Sequence, residues 1–291
     1  MRKTLLSFLL MVWAWVSFAQ LERKLANENQ PVELTFHASR HINLLTVEPL
    51  SKKTMHFAIM HTFGTLDGGI ENLFGLDNGA NIQLSFEFGL TDKLSLGFDR
   101  SSQDKFYHAF GRYHLIQQTQ NNSKPISVSL AGGFGVVSNP YSFLQDIERP
   151  DFSERFAYSG QVMLARRFSP RISAQLTPMM AYWVNPLPIY QIQGTQNLYF
   201  ALGMSGKWKV TERSSLTLQY IPNLNSDLRS NYGIGWDVEA GEHVFQMYFV
   251  TSQSLNEPYL LAGGNGTPGE KFRLGFNVNR IFALGQRKKV G

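Results

Sequence analysis

The residues able to do acid–base or nucleophilic chemistry are scattered through this chain. Seven histidines occur in 291 residues and cysteine is absent, which excludes a thiol nucleophile, a cysteine metal site and any disulfide. His56, His61, His108, His114 and His243 are the candidates for a general base. A hydrolase acting on lipid at a membrane boundary would need a serine beside one of them and a third polar group to orient the ring. No Gly-x-Ser-x-Gly elbow accompanies any of the five. No catalytic residue is assigned, and the chain is read as a non-enzyme. Residues 264–271, GNGTPGEK, carry the glycines of a phosphate loop, but Glu270 intrudes before Lys271 and no helix follows. They read as an outer loop. Asp67, Glu71, Asp77 and Asn78 offer the oxygens Ca²⁺ takes, without the spacing of a calcium loop. No metal or other cofactor is expected.

A second set of polar residues is more informative, because it repeats at alternate positions. Glu87, Asp99, Arg112, His114, Arg167, Lys207 and Arg273 fall opposite the large apolar residues of their segments. Two readings stay open for them: the lining of a narrow channel whose charges select small polar solutes, or a salt-bridged polar core with no passage. The net charge of +5 is dispersed and leaves no nucleic-acid footprint.

The elements that position these residues read as strands. In residues 82–98 the apolar residues Ile82, Leu84, Phe86, Phe88, Leu90, Leu94, Leu96 and Phe98 are all even-numbered. The residues between are Gln, Ser, Glu, Gly or turn residues, which is the period of a one-face-apolar strand. Pairing Leu90 with Leu94 leaves Thr91-Asp92-Lys93 as the turn and puts the whole apolar set on one face. The same design surrounds Ser169-Pro170-Arg171 and Thr211-Glu212-Arg213. Strands are expected near 54–64, 80–90, 93–101, 106–117, 125–137, 156–168, 171–184, 197–210, 214–221, 231–239, 242–252 and 269–282. Long irregular segments near 65–79, 138–155, 185–196, 222–232 and 253–268 alternate with the short turns.

About twelve strands, many of 10–13 residues, match the length needed to cross a bilayer at a tilt. Loop lengths sorted by end match the short periplasmic turns and long extracellular loops of an outer-membrane barrel. The expected fold is therefore all-β: a transmembrane antiparallel up-and-down β-barrel. Aromatics at Phe98, Tyr113, Phe156, Phe168, Tyr182, Trp183, Trp208 and Tyr220 are expected in its interfacial girdles. Pro178 inside a strand calls for a bulge. Arg166 falls on the apolar face, close enough to a turn to snorkel. Around Glu239-Ala240-Gly241-Glu242 the register stays open, since Phe245, Met247 and Phe249 compete with Val244, Tyr248 and Val250.

Residues 1–19 have the basic start, apolar run and small residues of a cleaved signal peptide, so export is expected. Residues 20–53 are less periodic and form an N-terminal segment, either a plug or a periplasmic extension. The barrel spans 54–282, and 283–291 is a basic tail that leaves Phe282 as the last aromatic.

Thr35-Phe36 with Arg40-His41-Ile42-Asn43, then His61-Thr62-Phe63-Gly64, Phe74-Gly75-Leu76-Asp77, the run from Gly89 to Gly97, His243-Val244-Phe245-Gln246 and Gly275-Phe276-Asn277-Val278-Asn279-Arg280 occur in order. Together they resemble a family of outer-membrane β-barrel proteins of Gram-negative bacteria that carries a domain-of-unknown-function label. The resemblance spans most of the mature chain. It implies a barrel in the outer membrane and carries over no catalytic residues. The expected partners are outer-membrane lipid, the barrel insertion machinery and a small polar solute. A lipid-modifying barrel enzyme and a soluble periplasmic ligand-binding β-sandwich are the alternatives.

Overall fold

The computed structural model describes residues 30–141, 150–186, 196–224, 228–263 and 271–285. The expected signal peptide, the Gly264 loop up to Glu270 and the basic residues of the tail lie outside them. A small hairpin comes first, β1 (Arg40–His41) with β2 (Leu44–Leu45). Twelve strands then close into one antiparallel barrel. They are β3 (Thr54–Thr65), β4 (Asn81–Gly89), β5 (Leu94–Ser101), β6 (Phe106–Ile116), β7 (Ser127–Val137), β8 (Phe156–Arg167), β9 (Ile172–Trp183), β10 (Leu198–Lys209), β11 (Ser214–Ile221), β12 (Asn231–Ala240), β13 (His243–Val250) and β14 (Arg273–Ala283). Each barrel strand pairs with its neighbours in sequence, and β14 returns to β3 to complete the ring.

The turns follow from local chemistry. Leu90, Phe168 and Val210 each donate their backbone N–H to the carbonyl four residues on, at 2.9 Å. The next residue in each case is Thr91, Ser169 or Thr211. Its hydroxyl accepts from backbone N–H groups ahead of it, as from Leu94 at 2.9 Å and Ile172 at 3.1 Å. A hydroxyl residue just past the strand thus supplies the acceptor that the turn's free amides need.

The alternation is inverted relative to a soluble protein. On β4, Gln83, Ser85 and Glu87 are at most 1% exposed, whereas Leu84 and Phe88 are 37% and 38% exposed. Polar side chains fill the inside and apolar ones coat the outside, which a sandwich cannot do and a lipid-facing barrel must. The parity changes at the two-residue turn Gly241-Glu242, where Ala240 pairs with His243. Phe245, Met247 and Phe249 therefore face out, and Tyr248 and Val250 face in.

Two expectations are corrected here. Trp183 is not in a girdle: it is fully buried inside the barrel, its Nε1 donating to the Pro258 carbonyl at 3.2 Å. The outward residues of β9 are even-numbered, so strand parity sends Trp183 inward. Pro178 needs no bulge. The β8–β9 register is the same at Gln161–Met179 and at Leu164–Leu176, on either side of a gap in the ladder. Pro178 keeps its pairing with Leu202 of β10 and turns its missing N–H toward β8. Arg166 lies near the turn as expected, its guanidinium over the Phe168 ring at 5.5 Å.

Aromatic rings inside the barrel lie across glycines of neighbouring strands. Gly97 pairs with Phe110, and a Cβ there would stand 2.1 Å from the ring's Cζ. Gly97→Ala is expected to force the ring off its rotamer and cost about 1–3 kcal/mol. Gly206→Ala, where no atom lies within 4 Å of the added carbon, is the neutral control. Denaturant midpoints of the two variants in detergent check this.

Candidate functional site

The inside of the barrel is occupied from both ends. From the turn end, residues 34–47 run up the lumen and carry the β1–β2 hairpin with them. Lys207 on β10 donates to the Leu34 carbonyl at 2.7 Å, Gln175 on β9 accepts from the Val47 N–H at 3.0 Å, and Asn277 on β14 donates to the Ile42 carbonyl at 2.7 Å. From the loop end, the segment after β13 folds inward as the short helix α1 (Glu257–Leu261). Asn256 caps it, accepting from the Tyr259 N–H at 3.3 Å. Tyr259, Leu260, Leu261 and Ala262 pack on Trp183, Tyr199, Met179 and Phe106 in the main apolar cluster of the lumen.

The two segments meet at Arg40. Its guanidinium, 1% exposed, donates to Asp99 of β5 at 2.8 Å and to Glu257 of α1 at 3.3 Å. Asn43 adds a hydrogen bond to the Ser254 carbonyl at 3.2 Å. Below this junction Arg112 of β6 holds Glu87 of β4 through Nε at 3.0 Å and Nη2 at 2.6 Å. The same guanidinium donates to the Thr46 carbonyl at 2.7 Å and the Ser39 hydroxyl at 2.9 Å. Both ion pairs are dry and carry several hydrogen bonds, the geometry in which a buried pair can offset its desolvation.

The residues singled out by alternation sit as follows. Glu87, Asp99, Arg112, His114, Lys207 and Arg273 are buried on the lumen side. Arg167 is half-buried and donates to the Glu33 carbonyl at 2.6 Å. Glu87 and Arg112 come together, and Asp99 joins Arg40. His114 pairs with the Ser129 hydroxyl at 2.8 Å. Arg273 stands apart near the loop end and donates to the Phe63 carbonyl at 3.2 Å. Alternation did not point to Arg40 or Glu257, because neither lies in a periodic strand.

Serine–histidine contacts do occur: His37 lies between the Ser215 hydroxyl, at 2.7 Å, and the Glu239 carboxylate at the turn end. His108 lies 3.4 Å from Asp99 and 3.5 Å from the Ser159 hydroxyl. Both distances are long, and the same Asp99 oxygen is committed to Arg40. These groups face the lumen, away from lipid. His61 and His243 lie over Phe276 and Phe245 instead.

Cavities open at both ends. One of about 290 Å³ at the turn end is lined by His37, His56, Glu239 and Asn279 among others. One of about 280 Å³ at the loop end is lined by asparagine, glutamine and serine side chains around Asp104. Asp104, in the link between β5 and β6, accepts from the Tyr141 and Tyr259 hydroxyls, each at 2.6 Å. Burial pushes its carboxyl up, and the two hydroxyls pull against that. A carboxyl raised by folding contributes stability fully present below its unfolded pKa and lost as the pH rises through its folded value. As the pH climbs out of the ordinary carboxylate range, the thermal midpoint should fall more steeply for the native chain than for Asp104→Asn. Parallel slopes would remove Asp104 from this account.

A family model described as "Membrane bound beta barrel domain (DUF5777)" matches residues 36–282. The chain belongs to this family. The match takes in the inner hairpin together with all twelve barrel strands. As a membrane-bound barrel with an apolar outer wall, this DUF5777 protein resides in the outer membrane. Among solved structures it is similar to KdgM porin, with TM-score 0.48 and 6% identity over 79% of this chain and 99% of that one. It is similar to an outer membrane channel from Pseudomonas putida F1, with TM-score 0.46 and 14% identity over 80% and 96%. It is also similar to outer membrane phospholipase A from Escherichia coli, with TM-score 0.41 and 13% identity over 82% and 95%. At these identities and scores none of the three speaks to activity. Comparison with curated protein sequences gave no match.

Proposed function

We propose that the protein is a channel for small polar solutes, held closed at rest by its own two interior segments. The observation that carries this reading is a cavity at each end of the lumen, polar at the loop end and mixed at the turn end, with the waist stopped by Arg40 between Asp99 and Glu257. Both segments are anchored by apolar packing: Leu44 shares one cluster with the outer helix, and Phe36, Leu45 and Val47 pack on the wall in another. The N-terminal hairpin adds side-chain hydrogen bonds to the wall. In this reading the hairpin is the part that leaves: its neutral hydrogen bonds exchange with water at about 0.5–1.5 kcal/mol each, and its apolar and Arg40 contacts add to the cost of opening. Glu87, Asp99, Arg112, His114, Arg167, Lys207 and Arg273 would then line the passage, with both signs of charge facing the solute.

Planar-bilayer recording on the full chain tests this. Long closed periods with brief openings are expected. Urea, below the concentration that unfolds the barrel, should lengthen the openings reversibly by competing for the hairpin's polar contacts. Silence at every urea concentration, while gel mobility without boiling still reports a folded barrel, would sink the channel reading.

A further inference from the structure

The cavity at the loop end is built like a binding site. Asn78, Asn81, Ser102, Gln103, Asn139 and Gln253 line it, with only the small residues Gly79 and Ala80 between. Five of those six side chains are amides and the sixth is a hydroxyl. Each amide offers a donor and an acceptor side by side, the pairing that a sugar hydroxyl also presents. Among the described residues no lysine, arginine or histidine lines the cavity, so an anion would find no counter-charge from them. The single carboxylate, Asp104, accepts from a tyrosine hydroxyl on each oxygen, which ties it into the cavity wall. Burying a charge there without a partner is costly, and no large apolar surface waits for a hydrophobic ligand.

The floor is organised in advance. The Asn81 side-chain oxygen accepts from the Ser101 hydroxyl at 2.8 Å, the Ser102 hydroxyl at 3.2 Å and the Gln103 N–H at 3.2 Å. Its Nδ2 donates to the Gln103 Oε1 at 3.2 Å and to the Gln253 carbonyl at 2.9 Å. That last bond ties the cavity to the loop that carries α1. Gln103 is 5% exposed, its Oε1 is taken, and its Nε2 has no acceptor among the described residues. A buried amide N–H without an acceptor is costly unless something else supplies one.

We infer that this cavity binds a neutral sugar, its ring hydroxyls pairing with the amides that line it. About 280 Å³ falls just below the usual range for ligand pockets, which begins near 300 Å³, and suits one or two sugar rings. The inference deepens the channel reading by naming its solute class, and rests on it for the step after binding. Binding itself is measured separately.

Isothermal titration of the detergent-solubilised full chain uses glucose and maltose as neutral probes, and galacturonic acid and glucosamine as charged probes of the same ring size. At least one neutral sugar should bind saturably and more tightly than glucosamine, with galacturonic acid at least tenfold weaker. Gln103→Ala should weaken the neutral sugar roughly five- to tenfold, the share of one hydrogen bond. Asn139→Trp fills the cavity from a position whose backbone N–H, not its side chain, makes the contact to Asp104 at 3.1 Å, and should abolish binding. Heat-shifted gel mobility shows that each variant is folded. Absence of saturable heat with both neutral sugars, preference for a charged one, or binding that survives Asn139→Trp would each overturn the site. Sugar binding in a chain that never conducts would leave the site standing and sink the channel reading alone.

Discussion

Replacing Arg40 by methionine should lower the stability of the folded chain by about 3–5 kcal/mol and raise its open probability in a bilayer. The guanidinium is the one group that touches the N-terminal hairpin, the wall at Asp99 and the outer helix at Glu257. Without it two carboxylates remain in the same dry space, each 1–2% exposed, with no shared cation. Like charges so placed repel, and each has lost the partner that offset its desolvation. The larger part of the cost comes from the stranded charges. The triple variant Arg40→Met, Asp99→Asn, Glu257→Gln should therefore recover most of the lost stability. It should recover the closed state only in part, because the ionic link is gone while Asn43 and Leu44 still join the two segments. Urea unfolding in detergent and single-channel recording separate the two effects. An Arg40→Met protein as stable as the parent would mean that Arg40 is not the junction described.

Glu87→Gln should cost nearly as much, for a related reason. Arg112 spreads its donors between Glu87 and two groups of the hairpin, the Thr46 carbonyl and the Ser39 hydroxyl. Neutralising Glu87 leaves a cation with no exposed surface and no counter-charge in contact, at about 3–5 kcal/mol. The exposed pair Arg280–Glu242, at 2.7 Å, is the comparison: cutting it should change stability by about 0–1 kcal/mol. The two substitutions are read by the same unfolding experiment. Equal, small effects would place Glu87 and Arg112 in contact with water rather than in a sealed lumen.

The wall of this barrel was legible in the sequence and its contents were not. Period-2 alternation identifies strands directly, since a lipid-facing wall has one apolar face along its whole length. Leu84, Phe86 and Phe88 on β4 show this, and so do Leu176 and Met180 on β9. Turn chemistry at Thr91, Ser169 and Thr211 fixed where strands end. Trp183 was misplaced because residue type was weighed above parity. A tryptophan suits a membrane interface, but on an inward position it can only serve as packing for α1. Pro178 was misjudged because a proline disrupts one side of a ladder, and the β10 side remained whole. The lumen's occupants left no comparable signal. Residues 35–47 and 254–262 are buried by contacts with many different strands, and contacts of that kind have no period. Arg40 and Glu257 lie more than two hundred residues apart in the chain, and only closure of the ring brings them together.

The position of the hairpin also constrains how the molecule can be assembled. Residues 35–47 precede the first barrel strand in the chain, yet they lie inside the ring that β3 and β14 close. A finished ring would have to be threaded, whereas an open sheet can be wrapped around a segment already in place. The closing strand itself bears on that segment, since Asn277 of β14 holds the Ile42 carbonyl. The segment that precedes the first strand is thus a mandrel for the last. Changes in its length or bulk bear on whether the seam between β3 and β14 can shut.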